Sequence, residues 1–432
     1  MALKQASKFA HLDKQQGLNM TTDTQLIQEK RSEEVPFYSI DEIFTLRNGY
    51  TPSKSNPDYW NGTDTVPWFR MEDIRKNGGV LDHAIQSVSR TAIKGGTVFP
   101  ANSLIVATSA TIGAHALITV PYLSNQRFTS LTLKPKFRKM IDMKFAYYYG
   151  FILDKWCMKN TTTSSFSSVI MSKFRQFRFP IPPMPVQKAI VRILESFTSL
   201  ENELENELEK ELDARLLQYA HYKDSIFIRE SKLVGTIPLG KVGTFIRGQG
   251  LQKKDFTTTG HSCIHYGQIY TDYDIETTTT KSFISDSLAM KLRQAKPGDL
   301  VIATTSENDQ DVCKAIAWMG QESAAVSGDA YIFRHRLNPL YAAFLFSSSI
   351  FQKQKVPFIT GTKVRRVSGK NMARILVPVP SLERQAAIAS TLEQFHSLIN
   401  RSTTSLLDEI EARHKQYEYY RNQLLTFREL HA

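Results

Sequence analysis

Short clusters of basic, amide and hydroxyl side chains are the residues of this 432-residue sequence best suited to chemistry. The chemistry they suit is binding to a polyanion whose bases present hydrogen-bonding edges. Lys and Arg on phosphate supply affinity and salt dependence, whereas amide, hydroxyl and guanidinium groups read base edges. Lys363, Arg365, Arg366, Lys370 and Arg374 place five bases in twelve positions beside Thr360-Gly361-Thr362, the densest basic cluster of the chain. A related, softer segment runs from Lys159 to Arg178, rich in Thr and Ser, with Lys173, Arg175 and Arg178. Arg70, Arg75, Lys76, Arg90 and Lys94 surround a polar stretch, and Ser109 and Thr111 follow an apolar run where a loop tip belongs. Asn125-Gln126-Arg127 offers amide and guanidinium groups suited to adenine and guanine edges. Tyr266, Gln268 and Tyr270, and Thr304-Thr305-Ser306 with Gln310, are further candidates. Each has a plainer reading as an ordinary polar loop or, for the tyrosines, as core.

Catalytic patterns are incomplete by comparison. An adenine methyltransferase holds a flipped-out base, and its Asn/Asp-Pro-Pro-aromatic motif lacks the second proline in Asn56-Pro57-Asp58-Tyr59. Phe245 to Gly250 has one residue too many between Phe and the last Gly for the matching cofactor loop. Gly369-Lys370-Asn371 lacks both the earlier glycine and the Ser/Thr of a phosphate-binding loop. His261, Cys263 and His265 alternate as one strand face would, but three ligands at that spacing read as structural. The expectation is a chain with no catalytic site, metal or cofactor of its own.

Composition narrows the partners. Apolar residues at 41% and charged residues at 22% fit a globular protein of more than one core. The three cysteines, Cys157, Cys263 and Cys313, are too scattered for a disulfide framework. No run approaches the roughly 18 apolar residues that span a bilayer, and the N-terminus lacks an apolar signal core. A cytoplasmic chain without a membrane partner is expected. The net charge of +12 and pI near 9.4 attract phosphate. From Glu201 to Asp213, seven acids against Lys210 give −6 locally, so the rest carries 6 more than the net +12, that is +18. Two basic parts joined by a part that avoids DNA would have this distribution.

The elements that must position these residues are duplicated. Pro180 to Gln187 returns as Pro378 to Gln385, and Ile190, Leu194, Glu195 and Phe197 return as Ile388, Leu392, Glu393 and Phe395, all shifted by 198. Ala214, Arg215, Gln218, Tyr219 and Tyr222 match Ala412, Arg413, Gln416, Tyr417 and Tyr420 at the same offset. Upstream the register is looser: Ile40, Ile43, Thr45 and Gly49 match Leu239, Val242, Thr244 and Gly248 at 199, and Leu104 to Thr108 match Leu300 to Thr304 at 196. The copies thus share a frame and differ in content.

After Pro185, the residues Ile190, Leu194, Phe197, Leu204, Leu208 and Tyr219 recur at helical steps, with no Gly or Pro from Gln187 to Phe227. Such a helix spans roughly 60 Å at about 1.5 Å per residue. The second copy gives Ile388, Leu392, Phe395 and Tyr417. Packing one stripe on the other predicts an antiparallel two-stranded coiled coil within one chain, related by a pseudo-twofold. The expected fold is α+β: two similar mixed, β-rich globular domains joined by two long antiparallel helices. The expected boundaries are 1–36 (polar tail, or an extra helix from near Thr22), 37–185 (first domain), 186–233 (first helix), 234–382 (second domain) and 383–432 (second helix).

The Pro180 to Gln187 run leading into a helix with Gln218-Tyr219 and Tyr222, repeated in the second half, resembles the conserved regions of type I restriction-modification specificity subunits. The domain openings Ile40 to Gly49 and Leu239 to Gly248, with Tyr59-Trp60-Asn61-Gly62 and Pro67 to Ile74, are similar to opening segments of that family's target-recognition domains. The resemblance covers roughly 37–432 and departs in the unusually regular Glu/Leu repeat of the first helix. It implies two target-recognition domains, each binding one half of an asymmetric, interrupted double-stranded DNA site. It further implies that the paired helices separate the domains and bind two modification subunits, restriction subunits joining through the complex. Cleavage and methylation, with ATP and S-adenosylmethionine, would belong to those partners. Half-sites on one face of B-DNA recur about every 34 Å, a spacing that a rigid helical pair can set. The acidic run should then face solvent or a basic partner. The competing reading is a coiled-coil scaffold with basic interaction domains.

Overall fold

A computed structural model describes residues 27, 34–162 and 167–430 of the chain. The expectation for 1–36, tail or added helix, lies outside the described residues except at Ile27 and 34–36. The chain forms two compact units, one of residues up to Glu205 together with Ile410 onward, the other Asn206–Glu409.

In the first unit, β1 (Phe44–Asn48), β2 (Val80–Leu81), β3 (Ser103–Ala107), β4 (His115–Ile118) and β5 (Phe128–Leu133) form one sheet in the order β1-β5-β3-β4-β2. It is antiparallel except where β2 meets β4. Every residue of β3 is buried, which explains its unbroken apolar run: alternate side chains serve opposite faces. Leu104 and Val106 join a core with Phe145, Tyr149 and Leu153 of α1 (Met143–Lys159), while Ile105 and Ala107 join Phe69, Phe99 and Tyr122 on the other side. A three-stranded sheet of Ser87–Ser89, Thr65–Phe69 and Leu123–Ser124 adjoins it.

The long helix α2 (Met184–Val234) accepts Pro185 because the first helical turn needs no amide donor there. It ends at Gly235, whose φ of 72° is the left-handed conformation that closes helices.

The second unit repeats the construction. β6 (Gly243–Arg247), β7 (Glu276–Thr277), β8 (Leu300–Ala303), β9 (Lys314–Trp318) and β10 (Ala330–His335) take the order β6-β10-β8-β9-β7, again parallel only at the last pair. Leu300 and Ile302 pack with Tyr341 and Leu345 of α3 (Pro339–Phe346), and Val301 and Ala303 with Ile264, Trp318 and Val326. The duplication therefore extends through segments that share little sequence. α4 (Leu382–Leu424) is the second long helix. No helix among the described residues is long and apolar enough to cross a membrane.

Within each unit, parts of α2 and α4 run antiparallel. In the first, Phe197 stacks on Tyr420 at 6.2 Å, Thr198 Oγ1 meets Tyr417 Oη at 3.0 Å, and Glu201 meets His414 at 2.7 Å. In the second, Tyr219 faces His396 at 5.7 Å, Tyr222 faces Phe395 at 4.6 Å, and Glu230 meets Arg384 at 2.7 Å. The stripe residues divide in a way that periodicity does not foresee. Ile190 and Leu194 belong to the core of the first domain, and Ile388 and Leu392 to that of the second, so these four anchor helix to sheet and not only helix to helix. Leu204 is half-buried and Leu208 buried, but Phe395 remains 41% exposed despite its ring contact. In the acidic run, Glu203, Glu207, Glu209, Glu211 and Asp213 are exposed, while Glu201 and Glu205 both turn to His414.

His335, at the end of β10, gives the second unit an acid sensitivity. Its Nδ1 accepts the Leu337 N–H at 3.1 Å, its ring lies 5.0 Å from that of Phe333, and burial pushes its pKa down to about 4. The unfolded chain binds this proton below about 6.5 and the folded chain only below 4, so stability falls as pH drops through that window. The loss is expected to reach up to about 3 kcal/mol. Urea midpoints at pH 4.5 and 7.5 check it: His335→Gln, which keeps an acceptor for Leu337, should lose that part of the pH dependence.

Candidate nucleic-acid interface

Three separated segments of the first domain meet at the loop end of the β3-β4 hairpin. The Thr108 N–H donates to the Arg127 carbonyl at 3.0 Å, and the Val169 N–H to the Thr108 carbonyl at 2.8 Å. Ser109 bridges to Ser168. The chain leaving β1 joins them, because Thr51 Oγ1 donates to Gln126 Oε1 at 2.5 Å, and the Asn125 N–H donates to the Phe69 carbonyl at 3.1 Å. Gly49 makes this crossing possible: a Cβ there would lie 2.1 Å from the Asn125 carbonyl oxygen. Gln126 and Arg127 are exposed, and Ser109 and Thr111 half-exposed. Arg70 sits beside them at the start of the helix Met71–Asn77, its N–H bonded to buried Asp73 at 2.7 Å and its guanidinium 5.4 Å from the Trp68 ring.

Of the other candidates of this domain, Lys76, Arg90, Lys94 and Arg175 have partners of their own, while Arg75 and Lys173 stand exposed. Arg75 and Lys76 are exposed on the last turn of that helix, with Lys76 paired to Glu72 at 3.1 Å. Arg90 pairs with Asp64 at 3.0 Å, Lys94 lies over the Tyr50 ring at 5.1 Å, and Arg175 is held by Asp41 at 2.5 Å. Lys173 is exposed on the short helix Met171–Arg175.

The second domain gathers the same three segments. The Thr304 N–H donates to the Asp329 carbonyl at 3.1 Å, and Thr305–Ser306 pairs with Arg365–Arg366. Gly248 repeats the crossing, with a Cβ position 2.1 Å from the Ser327 carbonyl oxygen. Lys363, Arg366 and Lys370 are exposed, and Arg365 is tied to Asp309 at 2.9 Å and to the Gly361 carbonyl at 2.7 Å.

Several residues suited to base reading on sequence grounds are instead structural. Gln268 is buried, its Oε1 accepting the His265 N–H at 3.1 Å and its Nε2 donating to Ser282 at 2.8 Å, so neither end is free. Thr305 is buried with its hydroxyl on Asp329 at 3.3 Å, and Tyr266 packs on the core. Tyr270 donates to the Thr305 carbonyl at 3.1 Å and so steadies the hairpin. Gln310 is exposed, but its carbonyl is taken by Lys355.

The type I restriction modification DNA specificity domain pattern matches residues 32–214 and 316–412, more than half of the chain. The chain belongs to that family.

Among curated specificity subunits, the EcoprrI subunit of Escherichia coli is 50% identical over 210 residues, 47% of this chain and 52% of that protein. The EcoR124I/EcoR124II subunit of Escherichia coli is 26% identical over 311 residues, 66% of this chain and 71% of that one. The chain thus spans about half the length of the first of these relatives. Two solved structures share the specificity-family fold. One is a chain from a study of assembly and conformational transition of the type I R-M system, with TM-score 0.69 and 14% identity, covering 91% of this chain and 99% of that one. The other is the HsdS subunit of Thermoanaerobacter tengcongensis, with TM-score 0.51 and 14% identity, covering 92% and 98%.

In this specificity-family chain two residues of the incomplete catalytic and metal patterns have structural roles. Asn56 caps the turn Pro57–Tyr59, accepting the Asp58 N–H at 3.1 Å, and His265 caps the helix Tyr266–Thr271. Among the described residues, no group of three or more His, Cys, Asp or Glu side chains is placed to hold a metal ion. Lys355 is the residue that sequence reasoning missed. Its buried ammonium donates to the carbonyls of Gln310 at 2.8 Å and Val312 at 2.7 Å, fixing the β8-β9 loop, and burial lowers its pKa. Nothing in its sequence setting distinguishes it from a surface lysine.

Proposed function

We propose that this chain is the sequence-specific DNA-recognition subunit of a type I restriction-modification complex, each domain reading one half of an interrupted, asymmetric site. The observation that carries this reading is the repeated site: the same backbone bonds gather the same three segments in both domains, with different side chains on them. A conserved cradle with divergent contents is what two different half-sites require. A scaffold with basic interaction domains has no need of it.

The long helices fit spacing and docking. Leu216, Leu217, Leu398 and Leu407 are 45%, 72%, 57% and 56% exposed on them, apolar area suited to a protein partner. In this reading two modification subunits dock there, restriction subunits join through the complex, and S-adenosylmethionine and ATP are held by those partners. The chain works in the cytoplasm, with no catalytic site of its own.

Co-expression with a type I modification subunit, followed by genome-wide sequencing of methylated adenines, tests this. One interrupted motif is expected, and a stable complex that methylates no such motif would refute the reading. Exchanging residues 37–180 for the corresponding domain of another family member should alter one half of the motif only; a change in both halves would contradict modular reading.

A further inference from the structure

Residues 127 and 329 occupy one structural position in the two domains. Each precedes the first residue of its strand, β5 or β10, and each lends its carbonyl to the N–H of the first residue after β3 or β8. That bond fixes where the side chain leaves the backbone at the rim of the gathered loops. The side chains are opposite in kind. Arg127 is exposed, and its guanidinium meets no acceptor among the described residues. Asp329 is half-buried, with Oδ1 accepting from Thr305 at 3.3 Å and Oδ2 bonded to no described residue. A guanidinium only donates and a carboxylate only accepts.

Building on the DNA-recognition reading, we infer that position 127/329 is a specificity-determining position of each domain, Arg127 selecting a guanine in one half-site and Asp329 a base with an amino donor, cytosine or adenine, in the other. Guanine presents O6 and N7 acceptors in the major groove, whereas cytosine N4 and adenine N6 present donors. A carboxylate near phosphate is repelled, and the second domain supplies the offset: Arg366 pairs in register with Thr305, and Lys363 and Lys370 stand exposed on the same segment. The first domain, whose reader is itself cationic, has Ser168 and Val169 at the matching bridge. This distribution of charge is what two readers of opposite sign require.

The test uses the full chain co-expressed with type I modification subunits, with methylated adenines sequenced genome-wide. Purified complex is also titrated against duplexes carrying each of the four base pairs at every position of the motif. With Arg127→Ala, one guanine of one half is expected to relax, its preference over other bases falling about 10- to 100-fold, and the other half to stay unchanged. With Asp329→Asn, which keeps an acceptor for Thr305, the preference at one cytosine or adenine of the opposite half is expected to fall similarly. Both variants should co-purify with the modification subunit as the parent does. Two outcomes would overturn the inference while leaving the DNA-recognition reading intact: an unchanged motif in both variants, or equal weakening on all duplexes, which marks a phosphate contact. If the parent chain directs no interrupted motif, the DNA-recognition reading fails and this inference with it.

Discussion

Gln187→Leu is expected to lower the unfolding free energy of the chain by about 3–5 kcal/mol, because three backbone groups lose their partner at once, each worth about 1–3 kcal/mol when left buried and unpaired. The Gln187 amide is fully buried, its Nε2 donating to the carbonyls of Met140 at 2.8 Å and Pro182 at 2.7 Å while its Oε1 accepts the Asp142 N–H at 2.8 Å. Asp142 is the N-cap of α1. One side chain therefore ties the Pro-rich stretch, the start of α2 and the start of α1 together. Gln385 repeats the device, bonding Pro380 and the N–H of Asn338, the residue that caps α3, and its replacement should cost slightly less because two groups are orphaned. Gln187→Glu should be no rescue, since it turns a carboxylate oxygen toward two carbonyls. Urea denaturation with the exposed Lys188→Ala as control decides the matter, the control being expected within about 0.5 kcal/mol of the parent. A loss below about 1 kcal/mol for Gln187→Leu would show that water replaces the amide.

Breaking the buried pair of His115 and Asp154 is expected to have an effect of similar size. His115 Nδ1 meets Asp154 Oδ2 at 2.5 Å and its Nε2 meets the Tyr147 carbonyl at 2.7 Å, with the Phe151 ring 4.7 Å away. Gly150 packs so tightly that a Cβ there would lie 2.5 Å from Nε2. Asp154→Leu alone strands a polar ring inside the protein, and truncating one partner of such a pair costs about 3–5 kcal/mol. Adding His115→Phe should recover much of that loss, since an apolar replacement of both partners is often nearly neutral. A double-mutant cycle measures the coupling, and additive losses would show that the two side chains act independently. Because β4 begins at His115, directly after the loop carrying Ser109 and Thr111, Asp154→Leu is also expected to weaken reading of the half-site assigned to the first domain.

The repeated frame is legible without the fold. A stripe at three- and four-residue steps is a local property of the helix, so α2 and α4 were legible from Ile190 and Ile388 onward, with Pro before them as a starting signal. The offset of 198 exposed the duplication, and the Gln187/Gln385 match marked a shared device without showing what it does. Charge was legible too, since clusters such as Lys363 to Arg374 need no fold to be seen.

Which of these residues share a surface follows from long-range packing alone. Ser109, Arg127 and Val169 lie far apart in sequence, and strand order and register bring them together, neither of which follows from a local pattern. The same cause sent Gln268 and Thr305 inward, gave Ile190 and Leu194 to a domain core, and buried the ammonium of Lys355. Periodicity tells which side of an element is apolar, but the partner on that side is chosen by long-range packing. That choice placed Arg127 and Asp329 at one position in two domains, although neither their types nor their offset pairs them in the sequence.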